Sequence, residues 1–300
     1  TPIVSIPFAY DQAQFELFDF SAHTYSLEMT SHSSPPVALT IAGSDSSSGA
    51  GMQADLKTFA AHRVYGVNAL TATVAEVPGE VARFDATDPT LLGHQLNSVA
   101  SHFRIAAAKT GMLANEENVA VAAKFADEHK EIPFVIDPVI FATAESQLLS
   151  DEGAELMQKD LLPLATLVTP NLPEAVSLLG REIRDETELK ESSRQLYEKY
   201  GSAFLVKAGH LSGGETITDY AWLDGTLHEF PHSRIDVADT HGTGCTLSAA
   251  ITANLALGKA LFDAIEEGID YLSRCLSQQY QWHNEGGMIA ALNHFPDSVE

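Results

Sequence analysis

From Val37 onward, short apolar runs alternate with segments whose apolar residues recur every three to four positions. "VALTIAG" is an apolar run closed by glycine, which predicts a buried strand. "MQADLKTFAAH" follows, with Met52, Leu56 and Phe59 at helical spacing. "VNALTATVA" predicts a second strand, "LLGHQLNSVASHF" a helix, "IAAAKTG" a strand and "NEENVAVAAKFADEH" a helix. "PFVIDP" predicts a strand, "GAELMQKDLL" a helix, "ATLVTP" a strand, "LPEAVSLLG" and "ELKESSRQLYEKYG" helices, and "AFLVKAG" a strand. "DYAWLDGTLHEF" predicts a hairpin turning at Asp224-Gly225. "TLSAAITANLALG" and a long segment from Leu261 to about Trp282 predict the last helices. This alternation implies an α/β chain with a mostly parallel sheet covered on both faces.

Residues 1–36 fall outside the pattern. They hold Phe8, Tyr10, Phe15, Phe18, Phe20 and Tyr25 among acidic residues, lack basic ones and end in a Ser/Pro stretch. They read as an N-terminal extension, either a docked arm or a poorly ordered segment, before one domain spanning 37–300. Apolar residues at 45% and charged ones at 19% suit a soluble globular protein. The formal charge of −24 argues against nucleic acid or an anionic membrane as partner. Two cysteines, Cys245 and Cys275, give no disulfide framework. No apolar run reaches membrane-spanning length, and Lys57 is the first lysine or arginine, so no leader is expected. These features together predict a cytoplasmic protein.

In such a sheet, ligands gather beyond the carboxyl ends of the strands. There the chain places "GSDSSSGAGMQAD" (Gly43 to Asp55), Glu76, "KTGML" (Lys109 to Leu113), "DPVIFAT" (Asp137 to Thr143), "TPNLPEA" (Thr169 to Ala175), "KAGH" (Lys207 to His210) and "THGTGCT". "GTGC" before a helix offers backbone N–H groups backed by the helix dipole, a receptor for phosphate, although such a turn is also a common tight turn. Asp137 and Glu174 suit Mg²⁺ held partly through water. Glu174 also fits a first-turn acid and Asp137-Pro138 a simple turn. Lys207 reads as a phosphate partner or as a lysine that snorkels. His228 and His232 bracket Pro231, so helical zinc ligation is not expected. Cys275 reads as core. Neither a Walker A loop nor a GxGxxG fingerprint is present.

Six segments in order, "ALTIAGSDSSSGAGMQADLKTF", "KTGML", "IDPVIFAT", "LVTPNLPEA", "LVKAGH" and "THGTGCTLSAA", resemble the hydroxymethylpyrimidine and hydroxymethylpyrimidine-phosphate kinases of thiamin biosynthesis. These belong to the ribokinase-like superfamily, and the resemblance runs from about Ala38 to Tyr280. It implies a three-layer α/β/α fold, commonly dimeric, that uses MgATP. The implied acceptor is 4-amino-5-hydroxymethyl-2-methylpyrimidine and then its monophosphate. Carried over, Gly43, Asp55, Glu76 and Met112 would line the pyrimidine pocket. Asp137 and Glu174 would serve the metal, with Asn171 nearby, Lys207 on phosphate and Thr240 beside the nucleotide. Gly242, Thr243 and Gly244 would form the anion hole. Cys245 would stand where most ribokinase-like enzymes carry an aspartate base, and the helix terminus would help it toward thiolate.

Two departures matter. Glu76 replaces the usual glutamine, and an ionised carboxylate only accepts hydrogen bonds where an amide also donates. A related branch phosphorylates pyridoxal and carries a second cysteine after the "DPV" strand, where this chain has Ala142 and Thr143. The pyrimidine kinase is therefore expected, with a pyridoxal kinase or a non-catalytic ligand-binding member as alternatives.

Overall fold

Residues 34–140, 147–209, 214–237, 239–284 and 287–296 are described in the computed structural model. The lid residues Ala142 and Thr143, His210 and nearly all of the N-terminal extension lie outside them. The chain runs β1 (Val37–Asp45), α1 (Gly51–Ala61), β2 (Tyr65–Val77), β3 (Glu80–Ala86), α2 (Pro89–Ala100), β4 (Ile105–Thr110), α3 (Glu116–Glu128) and β5 (Phe134–Ile136). It continues with α4 (Asp151–Leu156), β6 (Leu167–Val168), α5 (Leu172–Leu179), α6 (Glu186–Tyr200), β7 (Ala203–Val206), β8 (Thr216–Leu223) and β9 (Thr226–Ser233). Helices α7 (Thr243–Ala256) and α8 (Leu261–Ser277) precede strands β10 (Tyr280–Asn284) and β11 (Gly287–Ala291).

Alternation within the strands divides the core into two layers. In β1, Leu39 and Ile41 enter one large cluster with α2, α3, α5 and α6, while Ala38 turns to α1 and α7 on the other face. Val135, Leu167 and Leu205 likewise meet Leu247, Ile251, Ile265 and Ile269 of α7 and α8. Helix α7 is buried from Thr246 through Asn254, so its many small residues are what let it sit tightly between sheet and α8. A Cβ on Gly268 of α8 would lie 2.9 Å from Ile251.

The nine-stranded sheet has the order β3-β2-β1-β4-β5-β6-β7-β8-β9. Strands β2, β1, β4, β5, β6 and β7 are parallel, and β3, β8 and β9 add antiparallel edges. From β1 the chain moves to β2 and returns on the other side as β4. The order reverses there, and in sheets of this kind ligands gather beyond the carboxyl ends of the strands at such a reversal.

Three elements differ from expectation. The last helix stops at Ser277, and Tyr280–Asn284 pairs with Gly287–Ala291 as a hairpin, Tyr280 opposite Ala291. Polar residues at ambiguous spacing hid that strand, and only its partner supplies a reason for it to extend. Strand β3 was not expected: it follows the Pro78-Gly79 turn as an edge strand, largely exposed and therefore weakly patterned. The segment expected as one helix from Gly153 begins at Asp151 and passes after Leu156 into a π turn and a 3-10 turn. Asp224 and Gly225 both take positive φ at the expected hairpin turn. Among the described residues no helix is long and apolar enough to cross a membrane.

Candidate active site

The turn before α7 is shaped by its glycines. Gly242 has φ +81°, and a side chain there would overlap the carbonyl oxygen of Gly49. At Gly244 a Cβ would sit 3.4 Å from both Asp137 Oδ2 and Lys207 Nζ. Glycine thus leaves open the space where the helix end, a lysine and a carboxylate converge. No side chain caps α7, so the Gly244 and Cys245 amides of its first turn remain open to a ligand, with the positive end of the dipole behind them. Thr243 donates through both N–H and Oγ1 to the carbonyl of Thr240, which closes the turn and leaves Thr240 at the surface.

Lys207 follows β7, and its Nζ lies 3.6 Å from Asp137 Oδ1. Burial alone would lower the Lys207 pKa, but the charges of Asp137 and Glu174 raise it, so the lysine is firmly cationic. Glu174 has two tasks in the geometry. It accepts from the Asn171 N–H at 2.8 Å while Asn171 Oδ1 accepts from the Glu174 N–H at 2.9 Å, a reciprocal cap that starts α5. Burial and the nearby Asp137 charge push its carboxyl up to about 8, against the opposing pull of Lys207. The helix-start reading of Glu174 is therefore correct as well, and Asn171 acts as its partner in the cap. Two buried carboxyl groups, Asp137 and Glu174, face the single ammonium of Lys207, a donor set with oxygen ligands to spare. Two hard oxygen ligands of this kind fit Mg²⁺.

The residues that the resemblance assigns to the pyrimidine lie on or near β1, β2 and β4. Without a side chain, Gly43 lets the chain pass Met112, whose Sδ would be 3.3 Å from a Cβ placed there. Thr71 Oγ1 donates to the Met112 carbonyl at 2.5 Å. Met112 joins Ala72, Val74, Ala114 and Leu148 in a small apolar cluster. Asp55 is fully buried, with Oδ1 held by Lys109 Nζ at 2.6 Å and Oδ2 by Thr40 Oγ1 at 2.6 Å. Both of its oxygens are engaged within the protein.

Cys245 occupies the first turn of α7, half-buried. The expected drift toward thiolate is reversed. Burial, with the charges of Asp55 and Asp137, pushes the thiol up to about 12, outweighing Lys109 and the Gly51 N–H. Desolvation wins over the helix end because the nearest lysine is already committed to Asp55.

Glu76 stands at the end of β2, where its backbone exchanges hydrogen bonds with Ser46 Oγ. Burial and the Asp45 charge push its carboxyl up to about 7. Asp45, Glu76 and His241 each present a ligand-type atom within 4.8 Å of the others. Sequence reading missed Lys109, Asp45 and His241. All three lie inside the quoted motifs, but only tertiary contacts across 54 and 196 positions bring out their partners.

The phosphomethylpyrimidine kinase family matches residues 45–290. A hydroxymethylpyrimidine/phosphomethylpyrimidine kinase of Staphylococcus aureus (strain Mu50 / ATCC 700699) is 37% identical over 262 residues, 87% of this chain and 94% of that protein. The pyridoxal kinase of Bacillus subtilis, solved as an ADP complex, superposes with a TM-score of 0.78 at 34% identity, covering 87% of this chain and 98% of its own. A phosphomethylpyrimidine kinase from Clostridium difficile 630 gives 0.70 at 32% identity, covering 79% and 98%. The match spans the strand-end groups from Asp45 through Cys245, and the chain belongs to the phosphomethylpyrimidine kinase family.

Proposed function

We propose that this chain transfers the γ-phosphoryl group of ATP to 4-amino-5-hydroxymethyl-2-methylpyrimidine and then to the resulting monophosphate, in thiamin biosynthesis. The observation that carries this reading is the meeting of Gly244, Lys207 and Asp137 at the open head of α7. The names of the curated relatives supply the acceptor, and the ADP complex of the Bacillus subtilis relative supports a nucleotide donor.

Phosphoryl transfer of this kind is positioning plus electrostatics. The amides at the head of α7 receive the migrating group, and Lys207 adds a fixed positive charge. Asp137 and Glu174 would hold Mg²⁺, which when bound neutralises developing charge between the phosphates. Gly43 and Met112 support the ring. Glu76, near half-protonated at neutrality, can both donate and accept at the ring edge as a glutamine would. Cys245 brings a neutral thiol, so an incoming phosphomonoester meets no carboxylate there. Two free cysteines suit a reducing cytoplasm, and a homodimer is the assembly we infer from the family resemblance.

A second reading, pyridoxal phosphorylation, is favoured by the Bacillus subtilis pyridoxal kinase fit. Supplying ATP and Mg²⁺ with hydroxymethylpyrimidine, its phosphate or pyridoxal, and following ADP release, separates them. Turnover of both pyrimidines is expected. Turnover of pyridoxal alone would establish the second reading, and no turnover of any acceptor would remove both.

A further inference from the structure

The loop after β1 and the turn before α7 are interlocked beyond what the phosphate site itself requires. Asp45 is 1% exposed. It accepts from the Ser47 N–H at 2.6 Å, Ser47 Oγ at 2.9 Å and the Ala50 N–H at 2.7 Å, which folds the serine loop around its carboxylate. Its remaining contact crosses to the other segment: His241 Nε2 lies 3.0 Å from Asp45 Oδ2. The His241 N–H is itself tied to Asp239 Oδ1 at 2.9 Å. There is no slack between the two segments. A Cβ on Gly49 would fall 2.9 Å from the His241 ring, and one on Gly242 would overlap the Gly49 carbonyl.

We propose that Asp45 and His241 form a positioning pair that locks the serine loop onto the Thr240–Gly244 turn and so keeps the α7 amides aimed at the transferred phosphoryl group. The inference rests on the kinase reading above. Its physical need is plain. A turn with glycines at 242 and 244 has wide conformational freedom, whereas transition-state donors must be held to a fraction of an ångström. A ring anchored at position 241 removes that freedom one residue before it matters. Neither member touches the reacting atoms.

The pair is also responsive to protons. Asp45 faces His241, the Glu76 carboxyl on β2 and the charge of Lys57 on α1, while His241 also faces Asp239. Burial raises the Asp45 pKa, but the hydrogen bonds from His241, Ser47 and Ala50 hold it down at about 2, so it stays ionised throughout the working range. Burial lowers the His241 value, but Asp45, Glu76 and Asp239 raise it overall. The charged form of the pair is therefore complete below the ordinary imidazole value of 6.5 and is lost as pH rises through the raised one.

The test compares wild type with His241→Ala, His241→Asn and His241→Gln. Gln places an amide N–H close to the Nε2 position, and Asn falls short of Asp45. His241→Ala and His241→Asn are expected to lower kcat about 100-fold while KM for ATP changes little, as for a displacement of about an ångström. His241→Gln is expected to recover most of kcat and to lack the alkaline decline expected of wild type. Equal kcat in Ala and wild type, or equal impairment in Ala and Gln, overturns the proposal. Amide exchange at Gly242–Cys245 supplies a readout free of turnover and should quicken in Ala and Asn but not in Gln. If wild type phosphorylates no acceptor, the kinase reading falls, and unchanged exchange in His241→Ala then overturns the lock on its own evidence.

Discussion

At Cys245 the balance of neighbours decides the chemistry. Lys109 and the Gly51 N–H favour thiolate, burial and two carboxylates oppose it, and the thiol stays protonated to about pH 12. In the His241→Gln background, which is expected to lack the alkaline decline, phosphorylation of the alcohol should then quicken with rising pH across the range in which the protein stays folded, because the thiolate fraction grows tenfold per unit. Phosphorylation of the monophosphate, whose oxygen is already anionic, should stay flat. Cys245→Asp should slow the second step more than the first, by about tenfold or more, since two close carboxylates and a phosphate repel in a low-dielectric site. Steady-state rates for each acceptor between pH 6 and pH 9 check both outcomes. Directly below, Lys109 and Asp55 are completely buried against one another. Lys109→Met leaves an unpaired buried carboxyl and should cost about 3–5 kcal/mol, with Lys109→Met/Asp55→Leu recovering part of the loss in denaturant titrations.

On the scale of elements, α5 joins a structural task to a chemical one. Glu174 closes the start of the helix through Asn171, and the same carboxyl faces Asp137 and Lys207. Glu174→Gln keeps an oxygen for the Asn171 N–H and should leave stability nearly unchanged, whereas Glu174→Ala should lose about 1 kcal/mol. Both should weaken Mg²⁺ binding. Because the metal-free carboxyl titrates near 8, the wild-type affinity for Mg²⁺ should rise with pH up to that value and level off above it. Calorimetry with Mg²⁺ in the presence of ADP should show the slope in wild type and its absence in Glu174→Gln. The turn before α7 and the serine loop approach closely enough that neither Gly49 nor Gly242 has room for a side chain.

The molecule as a whole carries a formal charge of −24 and handles anionic substrates. Its cationic groups at the site, Lys207 and the buried Lys109, act over short distances, while the remaining field repels ATP. Raising ionic strength from about 0.01 M to 0.15 M should therefore increase kcat/KM for ATP, as screening shortens the reach of that repulsion from roughly 30 Å to 8 Å. Initial rates at fixed Mg²⁺ measure this, and a decrease would show that local attraction outweighs the global field. The reversal of strand order between β1 and β4 explains why all these groups meet. Loops leaving neighbouring strands in opposite directions open a crevice, and α7 points its head into it.

Periodicity and strand-end composition, read from the chain alone, were enough for the parallel sheet, its two helical layers and the residues that gather at one edge. Apolar spacing directly reports which face of an element must leave water, and glycine before a helix directly reports an open turn. Glu174 as a first-turn acid of a helix, and Asp224-Gly225 as a hairpin, are likewise local facts of backbone chemistry. What needed the tertiary structure was everything set by distance rather than order. Asp55 is fully buried because Lys109 and Thr40 engage both of its oxygens. Cys245 stays a thiol because desolvation depends on what surrounds the helix end, not on the helix end itself. Tyr280–Asn284 is a strand because Gly287–Ala291 pairs with it, and His241 belongs with Asp45 because two loops 196 residues apart close on each other. Burial and pairing are properties of space, and spacing along a chain does not encode them.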